Sequence, residues 1–322
     1  MRVLILASEG APVSSIAGPM EIWLLAAHLA SRQKLTTPAD GIDIQVVTNG
    51  RAAPFASQGW VLNQWTTLSP YEQADLVIVG AIGPPSPRKY ADLQVLDWIK
   101  RQAAGGAQMA SFCTGTFLLA ASGLLNGRVA TTHWGFADLF RSAFPDVRLQ
   151  IDKMITSDGE FTCAGGATSY QDLSLYLIQQ HYGRSLAMQC ARWLLLSPDR
   201  ISQQEFVQNQ DKKWHEDETI LASQAWMESH YASDLSVTEL ASRACLSERH
   251  FKRRFKLATG ESPLHYLQRV RIDHARTLLE NTQTSVERVG LACGYSDNAF
   301  FRQLFKRFTG LTPLQYRRKF GS

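Results

Sequence analysis

The feature that most constrains this chain is an internal repeat near its end. Residues 236–267 (SVTELASRACLSERHFKRRFKLATGESPLHYL) resemble residues 285–317 (SVERVGLACGYSDNAFFRQLFKRFTGLTPLQYR). Ser236, Leu240 and Ser247 recur as Ser285, Val289 and Ser296 at an offset of 49. Phe251, Phe255, Thr259, Gly260, Pro263 and Tyr266 recur as Phe301, Phe305, Thr309, Gly310, Pro313 and Tyr316 at an offset of 50. A solenoid needs at least three stacked units, so two copies of about 35 residues point to a duplicated helical module.

Each copy reads as helix, turn, helix. Ser236 with Glu239 three residues on spells a capping box, and Thr284 with Glu287 spells a second. The turns fall at Ala244-Cys245-Leu246 and Cys293-Gly294-Tyr295, followed by helices over 247–258 and 296–308. Gly260 and Gly310 stand just past those helices, where a left-handed cap residue belongs. Ser262-Pro263 and Thr312-Pro313 then open new helices with an N-cap and a proline at the first position. Two helices joined by a turn of three or four residues make the DNA-binding arrangement.

The second helix of each unit carries the chemistry. Phe251 and Phe255 form an inward stripe, while Arg249, Lys252, Arg253 and Lys256 follow i, i+3, i+4, i+7 spacing and share one outer face. In the second copy Phe301, Phe305 and Phe308 face in, and Ala299, Arg302, Gln303 and Lys306 face out. Arg and Gln read guanine and adenine edges, and Lys or Arg neutralise phosphate. A single charged helix face is more often merely solvated. Two copies in register, with the same turn chemistry, argue for contact with nucleic acid. Charge agrees: residues 230–322 hold 16 Lys/Arg against 8 Asp/Glu, whereas residues 1–229 hold 17 against 21. A basic end on a mildly acidic body suits a chain in which one part meets a polyanion. The intervening helix over 263–281 is about 28 Å long at 1.5 Å per residue. Successive major-groove segments lie about 34 Å apart, so one chain can reach two of them.

Residues 217–320 resemble the AraC/XylS family of transcriptional regulators across both units and the ending Gly310, Pro313, Tyr316. That resemblance puts base-contacting positions at Arg249, Lys252, Arg253, Asn298, Arg302 and Gln303. It implies double-stranded DNA and RNA polymerase as partners.

The first 180 residues read differently. Apolar strand-like runs at 2–8, 42–48, 75–80 and 107–112 alternate with helical patterns at 16–30, 89–103 and 116–122. Further strands are expected at 128–132, 147–151 and 153–156, and an apolar helix over 166–182 closes the domain. Strands separated by helices imply a parallel sheet covered on both faces. Residues 197–216 are polar, rich in Gln and charge, and read as a linker.

Phe112-Cys113-Thr114-Gly115 follows a strand and opens a helix. A thiol there sits at a helix N-terminus, whose dipole favours thiolate, and the elbow resembles those that carry nucleophiles. His133 follows another short strand, so the sequence allows a Cys–His pair in space. The bland reading is that both are ordinary core residues. The five cysteines show no CxxC pair and no His at metal spacing, so no metal or cofactor is expected. The odd count, without a signal peptide or an 18-residue apolar run, points to reduced thiols, no membrane and a cytoplasmic protein.

Residues 1–185 resemble the DJ-1/PfpI superfamily. The resemblance rests on Ala17-Gly18-Pro19-Met20-Glu21, Cys113-Thr114-Gly115, Leu124-Leu125-Asn126-Gly127, Thr131-Thr132-His133-Trp134 and Asp172-Leu173. It implies an α/β domain with a flavodoxin-like open parallel sheet. Joined to an all-α domain with two helix-turn-helix units, it is similar to the GlxA-like, amidotransferase-like regulators. The superfamily's enzymes place an acidic residue where this chain has Ser15, flanked by Ser14, so a proton-handling carboxylate is missing and no catalytic residue is assigned. Ligands of open α/β sheets bind at the carboxyl ends of strands. Ser15, Ile82, Gly83, Cys113, Thr114, His133 and Trp134 are the expected effector-binding residues; Trp134 either offers an aromatic face to a cation or serves as packing.

The expected organisation is an effector-binding and dimerising domain over 1–195, a linker over 196–216 and a DNA-binding domain over 217–322. The expected function is a sequence-specific transcription regulator that answers to a small metabolite, and the resemblance implies an activator of catabolic genes. The resemblance suggests an amino or quaternary-ammonium compound, and a homodimer. The alternatives are a cysteine-dependent hydrolase or hydratase using Cys113, and a thiol redox sensor.

Overall fold

The computed structural model describes every residue except 9, 33–40, 50–65, 70–71, 198–199, 207–214, 216 and 322. It divides into two compact units, Met1–Gln203 and Gln204–Ser322.

The first unit holds β1 (Arg2–Leu6), α1 (Ser14–Arg32), β2 (Asp43–Thr48), β3 (Thr66–Thr67), β4 (Leu76–Val79), α2 (Pro87–Tyr90), α3 (Leu93–Ala104), β5 (Gln108–Phe112), α4 (Thr116–Ala121), β6 (Val129–Ala130), α5 (Ala137–Ala143), β7 (Arg148–Leu149), β8 (Ile155–Asp158), β9 (Phe161–Ala164), α6 (Tyr170–Tyr182) and α7 (Arg184–Trp193). Seven strands form one sheet in the order β3-β2-β1-β4-β5-β9-β8, and every neighbouring pair is parallel except β8 with β9. Alternation across the strands builds two cores. Val3, Ile5, Leu76, Ile78 and Phe112 pack into the cluster that holds Ile16 and Trp23 of α1 and Leu177 and Ile178 of α6. Leu4, Leu6, Val77, Val79 and Met109 pack into the opposite cluster, with Ile99 of α3 and Phe117 of α4. Two buried faces explain why the central strands read as continuous apolar runs.

Four expectations about this unit need correction. The helix expected over 89–103 is two, because Asp92 accepts hydrogen bonds from the Gln94 and Val95 N–H groups at 3.0 and 3.4 Å and so caps a fresh start. β9 was not anticipated. It is four residues long and follows β8 through a turn in which Gly159 has φ +64°, yet it is an inner strand beside β5. α6 does not close the unit: Gly183, at φ +84°, turns the chain into α7, which buries Leu186, Ala187, Cys190 and Ala191. Finally, the start of the polar stretch is docked rather than free. Residues 198–199, 207–214 and 216 lie outside the described residues, but Lys153 and Ser202 form an antiparallel bridge. Met154 donates its N–H to the Ile201 carbonyl at 3.1 Å, and Gln203 donates its N–H to the Asp152 carbonyl at 3.0 Å. Arg200 forks onto Asp172, with Nε 3.2 Å from Oδ1.

The second unit is helical: α8 (Glu218–Ser229), α9 (Val237–Arg243), α10 (Glu248–Thr259), α11 (Pro263–Asn281), α12 (Val286–Ala292), α13 (Asn298–Thr309) and α14 (Pro313–Phe320). The long α11 serves two cores. Tyr266, Leu267 and Val270 join Phe251 and Phe255, while Ile272, Ala275 and Leu279 join Phe301 and Phe305. The repeat is reproduced in its contacts. Phe255 meets Tyr266, and Phe305 meets Tyr316, each edge to face at 5.4 Å. The Tyr266 and Tyr316 hydroxyls donate to Glu228 and Glu280 at 2.5 and 2.6 Å. Gly260 and Gly310 take the left-handed cap at φ +79° and +76°.

Two caps differ from the sequence reading. The N-cap of α12 is Ser285, which accepts from the Arg288 N–H, rather than Thr284. The N-cap of α13 is Asp297, the true counterpart of Ser247, so Ser296 is an extra residue in the second turn.

Candidate functional site

In α10, Phe251 and Phe255 are fully buried, while Arg249, Lys252, Arg253 and Lys256 are all exposed. In α13, Phe301 and Phe305 are buried, while Arg302, Gln303 and Lys306 are exposed. Hydrophobic anchoring on one stripe fixes the rotation of each helix and so aims the opposite stripe outward. Asn298 stands apart. It is half-buried at the start of α13, and its Oδ1 is enclosed without a hydrogen-bond partner.

Both outer faces are partly neutralised from within. Lys252 is ion-paired with Glu248, one turn earlier on α10, and Glu248 also accepts from the Thr238 hydroxyl of α9 at 2.9 Å. Arg302 is ion-paired with Glu287 of α12. The Lys252 hydrogen bond, then that of Thr238, holds the Glu248 carboxyl below its usual range. Glu287 is held down by its own backbone N–H, with help from Arg302.

Arg254 was not singled out in the sequence, and no periodicity would have flagged it. It points away from the cationic face and forks onto Asp217, Nε to Oδ2 at 2.6 Å and Nη2 to Oδ1 at 2.9 Å. Asp217 also caps α8 by accepting from the Ile220 N–H, so this pair ties α10 to α8.

In the first unit Ser15, Ile82, Gly83, Cys113 and Thr114 follow the carboxyl ends of β1, β4 and β5, while His133 and Trp134 follow β6 of the two-stranded sheet. The Ser15 hydroxyl donates to the Pro12 carbonyl at 2.7 Å and lies 3.5 Å from the Ala81 carbonyl. The Ile82 N–H donates to the Thr114 hydroxyl at 3.0 Å, and the Thr132 hydroxyl donates to the Cys113 carbonyl at 2.7 Å. His133 and Trp134 follow Thr132, with ring centroids 5.3 Å apart. Ser15, Ile82, Cys113 and Thr114 are buried, so Gly83, His133 and Trp134 present the more open surface. Beside Gly83, a cleft of about 710 Å³ is lined by Ser8, Gly10, Asn49, Arg88, Lys89 and Asp92.

Cys113 does sit on a strained elbow, at φ +55°. The thiolate expectation fails, however. Burial pushes the thiol up to about 11, and the hydrogen bonds of Thr114 offset only part of this. Cys113 opens a three-residue 3₁₀ segment leading into the six-residue α4, a short source of dipole against a large desolvation penalty. Burial likewise lowers the basicity of His133, whose Nδ1 accepts from the Gly135 N–H at 3.0 Å. The neutral ring therefore carries its proton on Nε2.

Among the described residues no group of three or more His, Cys, Asp or Glu is arranged to hold a metal ion. No helix among them is long and apolar enough to cross a membrane.

Comparison with known proteins places both halves. The family model described as DJ-1/PfpI family matches residues 20–180, and that described as helix-turn-helix domain matches residues 240–319. The HTH-type transcriptional regulator CdhR of Pseudomonas aeruginosa is 29% identical over 264 residues, covering 82% of this chain and 78% of its own. The HTH-type transcriptional regulator GlxA of Rhizobium meliloti is 30% identical over 260 residues, covering 78% and 77%. The crystal structure of an AraC family transcriptional regulator from Pseudomonas putida aligns with a TM-score of 0.51 at 22% identity, over 60% of this chain and 98% of its own, a likeness of fold.

Proposed function

Since this chain belongs to the DJ-1/PfpI family and to the GlxA-like transcription regulators with an AraC-type helix-turn-helix domain, we propose that its first unit binds a small effector and thereby sets the grip of its second unit on an operator. The chain is a DNA-binding transcription regulator with a DJ-1-like ligand domain. The observation that carries the finer reading is the paired outer face. α10 and α13 each bury two phenylalanines and expose cationic or amide side chains at matching positions. On this reading Arg249, Lys252, Arg253, Lys256, Asn298, Arg302, Gln303 and Lys306 meet DNA, with the Arg and Gln side chains reading base edges and the lysines meeting phosphates.

The effector site is assigned to Ser15, Ile82, Gly83, Cys113, Thr114, His133 and Trp134, at the strand ends where open α/β sheets take ligands. The effector is a small amino or quaternary-ammonium metabolite. The regulator works in the cytoplasm as a homodimer, recruits RNA polymerase and activates catabolic genes. The first domain is a sensor rather than an enzyme: a buried thiol with a raised pKa is a poor nucleophile and a poor peroxide sensor.

The test is operator binding by the full chain, using fragments of the promoter next to its own gene. Arg253→Ala and Arg302→Ala should each weaken binding while leaving the thermal transition unchanged. Unchanged affinity in both variants overturns the assigned faces.

A further inference from the structure

Gln203, the last residue of the first unit, is 1% exposed. Its amide nitrogen lies 2.9 Å from the Thr132 carbonyl, 3.1 Å from those of Ile151 and Lys153, and 3.2 Å from the Thr131 hydroxyl. The Thr131 hydroxyl gives its own proton to the Lys153 carbonyl, so all four neighbours are acceptors. This environment fixes the orientation of the amide, because the opposite flip would press its oxygen against three carbonyls. The oxygen must therefore point away, and there it is enclosed with no hydrogen-bond partner. A buried carbonyl oxygen with no donor is costly and asks for an explanation.

Its surroundings supply one. A Cβ built on Gly166 would lie 3.8 Å from Gln203 Oε1 and 3.9 Å from Cδ2 of His133, so the orphaned oxygen and the imidazole both neighbour Gly166. Thr132, whose carbonyl Gln203 holds, in turn holds the Cys113 carbonyl. The oxygen thus lies beside the residues assigned to the effector, and the next peptide bond leads into the DNA-binding unit.

We propose that Gln203 is a ligand-contacting residue of the effector site, its side-chain carbonyl accepting an N–H of the effector, which is therefore an amine with at least one N–H rather than a quaternary ammonium ion. The inference rests on the effector reading above. It also makes Gln203 the point at which occupancy acts on the chain entering the second unit. A ligand that fills the orphaned acceptor stabilises the docked form of residues 200–203, and operator affinity follows that population.

The test is a thermal-shift titration of the full chain with glycine, ethanolamine, 4-aminobutyrate and putrescine, each beside its fully N-methylated counterpart. An N–H donor to a buried acceptor should lower the concentration needed for a given shift by about 10- to 100-fold relative to the quaternary partner. The obvious variant, Gln203→Ala, also strips donors from three carbonyls and endangers the fold. Gly166→Ala does not: residue 166 has φ −58°, and the new methyl makes ordinary contacts. That methyl occupies the space the N–H would use. It should abolish the amine response while leaving ligand-free operator binding unchanged. Equal potency of amine and quaternary partners, or an amine response that survives Gly166→Ala, overturns the role of Gln203 and leaves the effector reading standing. Stabilisation by none of the eight compounds counts against both readings. In that case, a metabolite extract that still shifts wild type but not Gly166→Ala restores the contact, and an extract that shifts neither removes it.

Discussion

Arg302 and Glu287 are ion-paired across the second helix-turn-helix, one on each of its helices. The matching cation in the first unit, Lys252, is paired too, but with Glu248 on its own helix. At the position of Glu287 the first unit has Thr238, whose hydroxyl supports Glu248 instead. The duplication therefore kept the neutralised cation and moved the acid. In both units the cation must leave its carboxylate before it can meet a base or a phosphate.

Removing either acid should strengthen DNA binding. Glu287→Gln frees Arg302, and Glu248→Gln frees Lys252, while each also removes a negative charge from a face proposed to approach phosphates. Exposed pairs are weak, so the gain is modest, up to about fivefold for each variant. Fluorescence anisotropy with a labelled operator at fixed salt measures it. A loss of affinity in both variants would show that the acids position the cations rather than restrain them.

Salt dependence separates the roles of the cations. A side chain that neutralises one phosphate adds about 0.9 to the slope of log affinity against log salt. Lys256→Ala and Lys306→Ala should each reduce the slope by about that amount and weaken all sequences alike. Arg302→Ala, if it removes a base contact, should cost about 1–3 kcal/mol on the operator, and much less on unrelated DNA. Titrations on both DNAs at several salt concentrations give the answer.

The raised pKa of Cys113 makes a prediction of definite sign. At pH 8 its thiolate fraction should be about 100-fold lower than that of an ordinary thiol, so iodoacetamide should modify exposed Cys245 long before Cys113. The folded chain holds this proton more tightly than the unfolded chain. The resulting stability is fully present below the ordinary value of 9.0 and is lost as pH rises through about 11. By pH 11 the loss from this one thiol is about 2 kcal/mol. Urea unfolding between pH 8 and 11 should show it, and Cys113→Ala should remove this thiol's share of the slope, leaving that of Cys163, Cys190 and Cys293, which burial raises alike.

These residues also show where sequence stops being informative. The paired faces of α10 and α13 were legible because helical periodicity and duplication write the same pattern twice. β1 and β4 were legible because burial on both sides forces an unbroken apolar run. The elbow at Cys113 was visible as a strand-to-helix junction, but its thiol chemistry was not. The dipole follows from local order, whereas desolvation depends on distant chain packing over it. β9 is only four residues long, and its place in the sheet comes from its neighbours rather than its own pattern. Gln203 lies in a polar stretch that reads as linker, and only the ring of carbonyls around its amide distinguishes it from a solvated glutamine.

The two turns of the repeat predict opposite effects of exchanging their residues. Cys245 and Gly294 occupy the same left-handed position, at φ +54° and +80°. A side chain there costs about 1–2 kcal/mol relative to glycine, partly offset by the greater freedom of glycine in the unfolded chain. Cys245 is exposed, so Cys245→Gly loses no packing and should stabilise the chain by about 0.5–1 kcal/mol. The reverse exchange is barred. A Cβ on Gly294 would stand 2.7 Å from the carbonyl oxygen of Ala232, backbone that cannot swing aside like a flexible side chain. Gly294→Ala should therefore cost more than the left-handed strain alone, at least about 2 kcal/mol. Denaturant unfolding of both variants tests the pair. A Gly294→Ala chain as stable as wild type would mean that the approach of Ala232 does not set which of the two turns must be glycine.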